Sequence, residues 1–476
     1  MLGTTTSRRA GSRAGSRAGS RPAGSTGTGS NVAGDHAGGP RDRGRNRSHD
    51  ADAVPTAHVG WRTYLRSLGP GLVTGASDDD PSGIATYAIA GASFGFATLW
   101  TALITFPMMT AVQFICAKIG MTTGRGLAGV LRRHYPRPAL YFAVAGLITA
   151  NTINVGADLA AIAEGLGMLV PIRPLLMIVP VAAAIVMLQL WCSYQLIARV
   201  FKWLTLSLFA YIGAAILAKP DLLAVAKGTF IPTLRFDGKF LAMLVAILGT
   251  TISPYLFFWQ ASQEVEEEKA MGRTTVSSRL GATDEELRAR RLDVSIGMGF
   301  SNVVMYFIIL ATAATLFRTG HTEIQTAAEA AQALEPLAGH AAKILFAFGL
   351  IGSGVLAVPI LSGSAAYAVS EVFGWRYGFD HRPERAKQFY GLIALSTLVG
   401  VLIDFTGWSA ISALFWTAVI NGFLAPMLLV SIMLVANNRS IMGDHVNGWV
   451  LNVLGWATTV AMLAAAIGLV LTWNSA

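Results

Sequence analysis

Apolar runs long enough to cross a bilayer recur along the whole chain, and they decide what it can fold into. A helix spans about 30 Å of hydrocarbon with roughly 20 residues. Such runs fall at 68–94, 95–118, 139–168, 174–195, 199–218, 241–265, 293–317, 341–374, 387–404, 408–437 and 447–473. Only 13% of the residues are charged, against roughly a quarter in an average soluble domain. The expectation is an all-α integral membrane protein with eleven transmembrane spans.

Lys and Arg are spread unevenly around these spans. With the amino terminus inside, only Arg173, Lys219, Lys227, Arg235, Lys239, Arg318 and Lys343 of the 36 basic residues fall outside. The positive-inside rule then gives an N-in, C-out, multi-pass protein of the cytoplasmic membrane. The net charge of +9 belongs to the inner loops and the tail and does not point to nucleic acid. Residues 1–60, with GSRAGSRAGSRPAGS and RDRGRNRSHD, can bury no core and read as a disordered, basic cytoplasmic tail. They lack the apolar run of a signal peptide, and contact with anionic lipid is a second reading of their charge. Residues 61–476 form the polytopic domain. Cys116 and Cys192 both lie in apolar runs and make no disulfide framework.

Two spans cannot be continuous helices. The first contains DDDPSG, Asp78–Gly83, and the sixth contains LGTTISPYLFFWQ, which breaks around Thr250–Pro254. Proline removes a backbone donor and clashes with the preceding turn, so Pro81 and Pro254, with Gly83 beside the first, free carbonyls inside the membrane. A carboxylate at that depth costs about 2.5–3.5 kcal/mol on insertion scales. Irregular backbone is stable there only where it lines a cavity or is buried in protein. Breaks in the first and sixth spans are the pattern of a five-plus-five inverted repeat with its site at the midplane.

An unwound helix with a free carboxylate and free carbonyls is a cage of hard oxygens for a cation. Asp80 supplies the charge, backbone oxygens near Ser77 and Thr250 and the Ser253 hydroxyl complete it, and Asp79 is a further candidate. Asp78 reads as a cap or a water-facing group. All-oxygen shells suit Mg²⁺, Mn²⁺ or Ca²⁺, and no Met, Cys or His lies within either break. Asp158 and Glu164, in NTINVGADLAAIAEGLG, are candidate proton-relay acids by virtue of lying in a span. The run Glu264–Glu268 reads as a solvated, charged end of the sixth span. No nucleophile elbow, nucleotide phosphate loop or His/Cys metal constellation is present in the sequence, so an enzyme is not expected.

These residues resemble the Nramp family of divalent-metal transporters over nearly all of 61–476. GPG at 69–71 followed by Asp80–Pro81 is similar to the family's first-helix signature, Asp-Pro-Gly-Asn. TTISPY at 250–255 stands where the family has its sixth-helix Met-Pro-His motif. TGRGLA at 123–128 and NNRSIMG at 437–443 are similar to the loops after its second and tenth helices. The resemblance implies a leucine-transporter-like fold, alternating access and metal–proton symport. Gly83 stands where the family's binding Asn falls, Ser253 where its Met falls, and Tyr255 and Gln260 where its histidines fall. Asp158 is kept, and Ala161 replaces the acid one turn later. Loss of the thioether favours harder ions, as in the family's divergent magnesium-transporting branch.

The function expected is therefore transport of a divalent cation of the Mn²⁺/Mg²⁺ class, with Fe²⁺ a further candidate. The metal is substrate, protons are the candidate coupling ion, and no cofactor is implied. Two alternatives share the fold: a non-transporting sensor, and a transporter of an organic solute, which the three aspartates would repel if it were anionic.

Overall fold

The computed structural model describes residues 69–191, 206–379 and 381–472. The tail expected at 1–60, Cys192 and the first part of the fifth span lie outside the described residues. Within them every regular element is helical. Counting helices of eight residues or more, α1 is Pro70–Asp78, α2 Pro81–Phe94, α3 Trp100–Thr123, α4 Leu127–His134 and α5 Arg137–Leu169. Next come α6 Pro174–Trp191, α7 Ala210–Leu217, α8 Leu222–Phe230, α9 Gly238–Thr251 and α10 Pro254–Ala270. The last five are α11 Asp284–Thr312, α12 Ala342–Phe373, α13 Lys387–Asp404, α14 Ala410–Ala436 and α15 Trp449–Leu471.

Among the described residues, nine segments are long and apolar enough to cross a membrane. The first expected span is instead the pair α1 and α2, and α7 is the described part of the fifth. In the most apolar 18-residue stretch of the span formed by α9 and α10, 89% of the residues are buried, against 22% in α6 and 33% in α15. The broken span therefore lies at the core, and α6 and α15 face outward.

Both broken spans stop and restart in the same way. α1 ends at Asp78, Asp79 (φ −82°, ψ 50°) leaves the helical region, Asp80 (φ −69°, ψ 167°) is extended, and α2 starts at Pro81. α9 ends at Thr251, Ile252 (φ −115°, ψ 62°) and Ser253 (φ −78°, ψ 130°) follow, and α10 starts at Pro254. Proline at the first helical position loses a donor that has no partner there in any case, and it drives the preceding residue out of the α region. The breaks are consequently narrower than the sequence suggests: Ser82 and Gly83 lie within α2, and Thr250 lies within α9.

The sixth span also continues past its expected end, because α10 runs on to Ala270. Glu264 and Glu268 are buried rather than solvated, since Arg290 of α11 lies beside Glu264 and Arg273 beside Glu268.

Glycine sets how closely α1 lies on α11. A Cβ at Gly75 would stand 2.2 Å from the Gly297 carbonyl oxygen, and one at Gly297 would stand 2.2 Å from that of Gly71. The spacing Gly71-x-x-x-Gly75 is the small-residue stripe that lets membrane helices approach backbone to backbone. The loop motif TGRGLA has a similar cause: the Glu371 carboxylate accepts the Gly129 N–H at 2.9 Å, and a Cβ on Gly126 would meet it at 2.1 Å. Overpacking a well-packed contact costs about 1–3 kcal/mol, so Gly75→Val should lower the melting temperature of detergent-purified protein. Gly391→Ala, where an added Cβ meets no atom within 4 Å, should not lower it.

Candidate cation site

Asp80 is the residue before α2, and its side chain closes the first turn of that helix. Oδ1 accepts the Gly83 N–H at 2.7 Å, and the positive end of the helix dipole favours the charge. Oδ2 receives the Tyr255 hydroxyl from α10 at 3.2 Å and the Asn154 amide from α5 at 3.3 Å. One carboxylate thus touches both broken spans and α5. Its environment is closed, with Asp80 1% exposed and Tyr255 and Asn154 0%.

The Tyr255 hydroxyl also lies 3.2 Å from the Ser77 carbonyl oxygen, so its single proton serves two acceptors. That proton stands between the two groups expected to face a cation. On the other break, Ser253 Oγ donates to the Gly249 and Thr250 carbonyls at 3.0 and 2.6 Å. Ser253 therefore turns back on the end of α9, and the Thr250 carbonyl is engaged. The Thr250 side chain reaches across to Ser82 Oγ at 3.3 Å.

Asp78 and Asp79 point elsewhere. Ser301 Oγ of α11 lies 2.7 Å from Asp78 Oδ2 and 3.0 Å from Asp79 Oδ1, so both carboxylates draw on its one hydroxyl proton. Both residues are buried, and Asp78 Oδ1 and Asp79 Oδ2 have no partner. Asp78 is thus neither water-facing nor a cap. Asp158 is fully buried with neither carboxylate oxygen partnered. Glu164 accepts the Ala327 N–H at 3.3 Å, the first residue of a short helix, so it does the work of a cap from a distance. Among the described residues, no three His, Cys, Asp or Glu side chains form a metal cage. The breaks can offer a cation one carboxylate with neutral oxygens around it, which suits an ion that must leave again.

Asn154 and Ser301 are not among the residues expected from the sequence. Asn154 had a signal, as an amide one turn before Asp158 in an apolar span. Ser301 had none, because a lone serine in a membrane helix usually bonds its own backbone.

The α1 end of the bundle is tied shut. Asp293 of α11 accepts the Gly69, Gly71 and Leu72 N–H groups at 3.1, 2.8 and 3.2 Å. Arg290 donates to Asp293 at 2.7 Å and pairs with Glu264 at 2.8 Å and with Glu267. Thr74 Oγ1 donates to Gln260 Oε1 at 2.6 Å, and Gln260 donates to Glu264 at 2.6 Å. Gln260, where the family's second histidine falls, therefore ties α1 to α10.

The family model described as natural resistance-associated macrophage protein-like, Nramp, matches residues 71–472. The chain belongs to the Nramp family. Among curated proteins it is 30% identical over 413 residues to the divalent metal cation transporter MntH of Klebsiella pneumoniae subsp. pneumoniae, covering 85% of this chain and 93% of that protein. In fold, this Nramp chain is similar to the Eremococcus coleocola manganese transporter, with a TM-score of 0.69 at 19% identity over 87% of this chain and 88% of that one. It is also similar to inward-facing Mhp1, with a TM-score of 0.51 at 14% identity over 87% and 91% of the two chains. The fold is the leucine-transporter-like one that the family resemblance implies.

Removing one partner of a buried ion pair costs about 3–5 kcal/mol because the other charge is left bare. Arg290→Met should therefore lower the melting temperature of this Nramp protein strongly, and adding Glu264→Gln should recover part of the loss. Equal melting temperatures for Arg290→Met and wild type would show that the network does not hold α1.

Proposed function

We propose that this protein carries a hard divalent cation, Mn²⁺ or Mg²⁺, across the cytoplasmic membrane by alternating access, with the amino terminus inside. Family membership supports divalent-metal transport as the general activity. The observation that carries the finer reading is the setting of Asp80. Its buried carboxylate bridges the restart of the first broken span and Tyr255 of the second, with only oxygen and nitrogen groups bonded to it. A cation entering there would take the place of the Tyr255 proton, between Asp80 and the Ser77 carbonyl. Ser253 and Thr250 would join by releasing their mutual hydrogen bond, and Asp79 would add to the local field. Oxygen ligands without thioether or imidazole favour Mg²⁺ and Mn²⁺ over softer metals, with Fe²⁺ a weaker competitor.

Proteoliposomes test this directly. Wild type should take up Mn²⁺ and Mg²⁺ well above empty vesicles, and Asp80→Ala should fall to the empty-vesicle rate. If wild type moves neither ion, the reading fails. Inward movement needs no coupling ion, since the membrane potential supplies about 2.3 kcal/mol per charge per 100 mV. For proton coupling, Asp158 and Glu164 are the candidate acids, and Asp158 is the more deeply buried of the two, with neither carboxylate oxygen bonded. Mn²⁺ uptake should then acidify the vesicle lumen, and Asp158→Asn should abolish the acidification while leaving potential-driven uptake. Uptake with no pH change in wild type would make the protein an uncoupled facilitator.

A further inference from the structure

We infer that the side-chain carbonyl oxygen of Asn154 is a ligand of the transported cation, forming the α5 wall of the site. The inference rests on the proposed cation site at Asp80 and adds a residue to it.

The two oxygens of Asp80 are held differently. Oδ1 is fixed by a 2.7 Å bond from the Gly83 N–H. Oδ2 has only two long contacts, 3.2 Å to the Tyr255 hydroxyl and 3.3 Å to Asn154 Nδ2. Oδ2 is therefore the oxygen a cation can claim most readily. The Asn154 amide presents its NH₂ to that oxygen while its own Oδ1 is buried without a partner, and the residue is 0% exposed. This Oδ1 is one of several buried amide oxygens without a hydrogen-bond partner among the described residues, and the one whose amide touches the Asp80 carboxylate.

Its neighbour one turn away shows what a merely structural amide does on this helix. Asn151 Nδ2 donates to the Leu361 carbonyl at 2.9 Å and to Ser364 Oγ at 2.8 Å, both on α12. Those bonds fix its orientation and glue α5 to α12, although its Oδ1 too has no partner. Among the described residues the Asn154 amide donates only to Asp80 itself.

An amide's oxygen and nitrogen ends have nearly the same shape. A cation at Asp80 Oδ2 would repel the NH₂ and attract the carbonyl. A half-turn about the terminal side-chain bond exchanges them without moving the backbone. The amide then becomes a neutral hard-oxygen ligand of the kind Mg²⁺, Mn²⁺ and Ca²⁺ accept.

The test is Mn²⁺ binding to the full chain in detergent, measured by calorimetry and by infrared difference spectra with asparagine labelled at its side-chain carbonyl. In wild type, Mn²⁺ should shift a labelled amide C=O band to lower frequency, and Asn154→Leu should lack that shift. Asn154→Leu should lose at least about tenfold in Mn²⁺ affinity, while Asn154→Asp, which keeps an oxygen there, should stay within about threefold or bind more tightly. If Asn154→Asp loses as much as Asn154→Leu and no labelled band moves, the amide only orients Asp80 and the inference is overturned. Absence of any band shift in wild type overturns it without a variant, so failure of Asn154→Leu to fold does not block the test. Undiminished Mn²⁺ binding by Asp80→Ala would instead remove the site on which the inference stands, whatever residue 154 does.

Discussion

The bond from the Gly83 N–H to the Asp80 carboxylate lets a helix start at the centre of this bundle. α2 begins in the interior, where the first turn of any helix has N–H groups without partners and no water to satisfy them. Pro81 removes one such donor and Asp80 accepts another. The carboxylate is in turn tolerated because those donors and the helix dipole face it. Each half supports the other, so Asp80 has a structural role as a helix cap beside its electrostatic one. Tyr255 carries the arrangement to the second break by sharing its proton between Asp80 and the Ser77 carbonyl.

Around that centre, the bundle is ordered by contacts that leave little freedom. Gly71, Gly75 and Gly297 bring α1 and α11 to backbone contact, which places Ser301 beside Asp78 and Asp79. The same approach sets Asp293 against the start of α1. Positions of the polar groups thus follow from small residues whose own chemistry is inert.

Much of this was legible in the residues alone. Long apolar runs, and prolines in the first and sixth of them, predict the membrane fold and its two breaks, because span length and backbone hydrogen bonding in lipid are local constraints. Asp80 follows from its place before Pro81. Tertiary partners do not follow in this way. Glu264 reads as solvated until Arg290 is seen beside it, and the Ala327 N–H that Glu164 accepts is not visible from spacing. Ser253 is a good oxygen ligand by composition, yet its hydroxyl turns to the last carbonyls of α9. In each case the deciding partner lies on another helix or in a backbone geometry that spacing does not reveal.

The three N–H groups that Asp293 gathers at the start of α1 bear on how such a bundle moves. A helix end can leave a neighbouring carboxylate only if something else takes up its donors, and lipid offers nothing. Water is the one replacement, and it must also solvate Asp293, Arg290 and the glutamates they release. Any tilt of α1 away from α11 would therefore have to admit water to that end of the bundle. The barrier to that event is set by hydration as much as by the contacts broken.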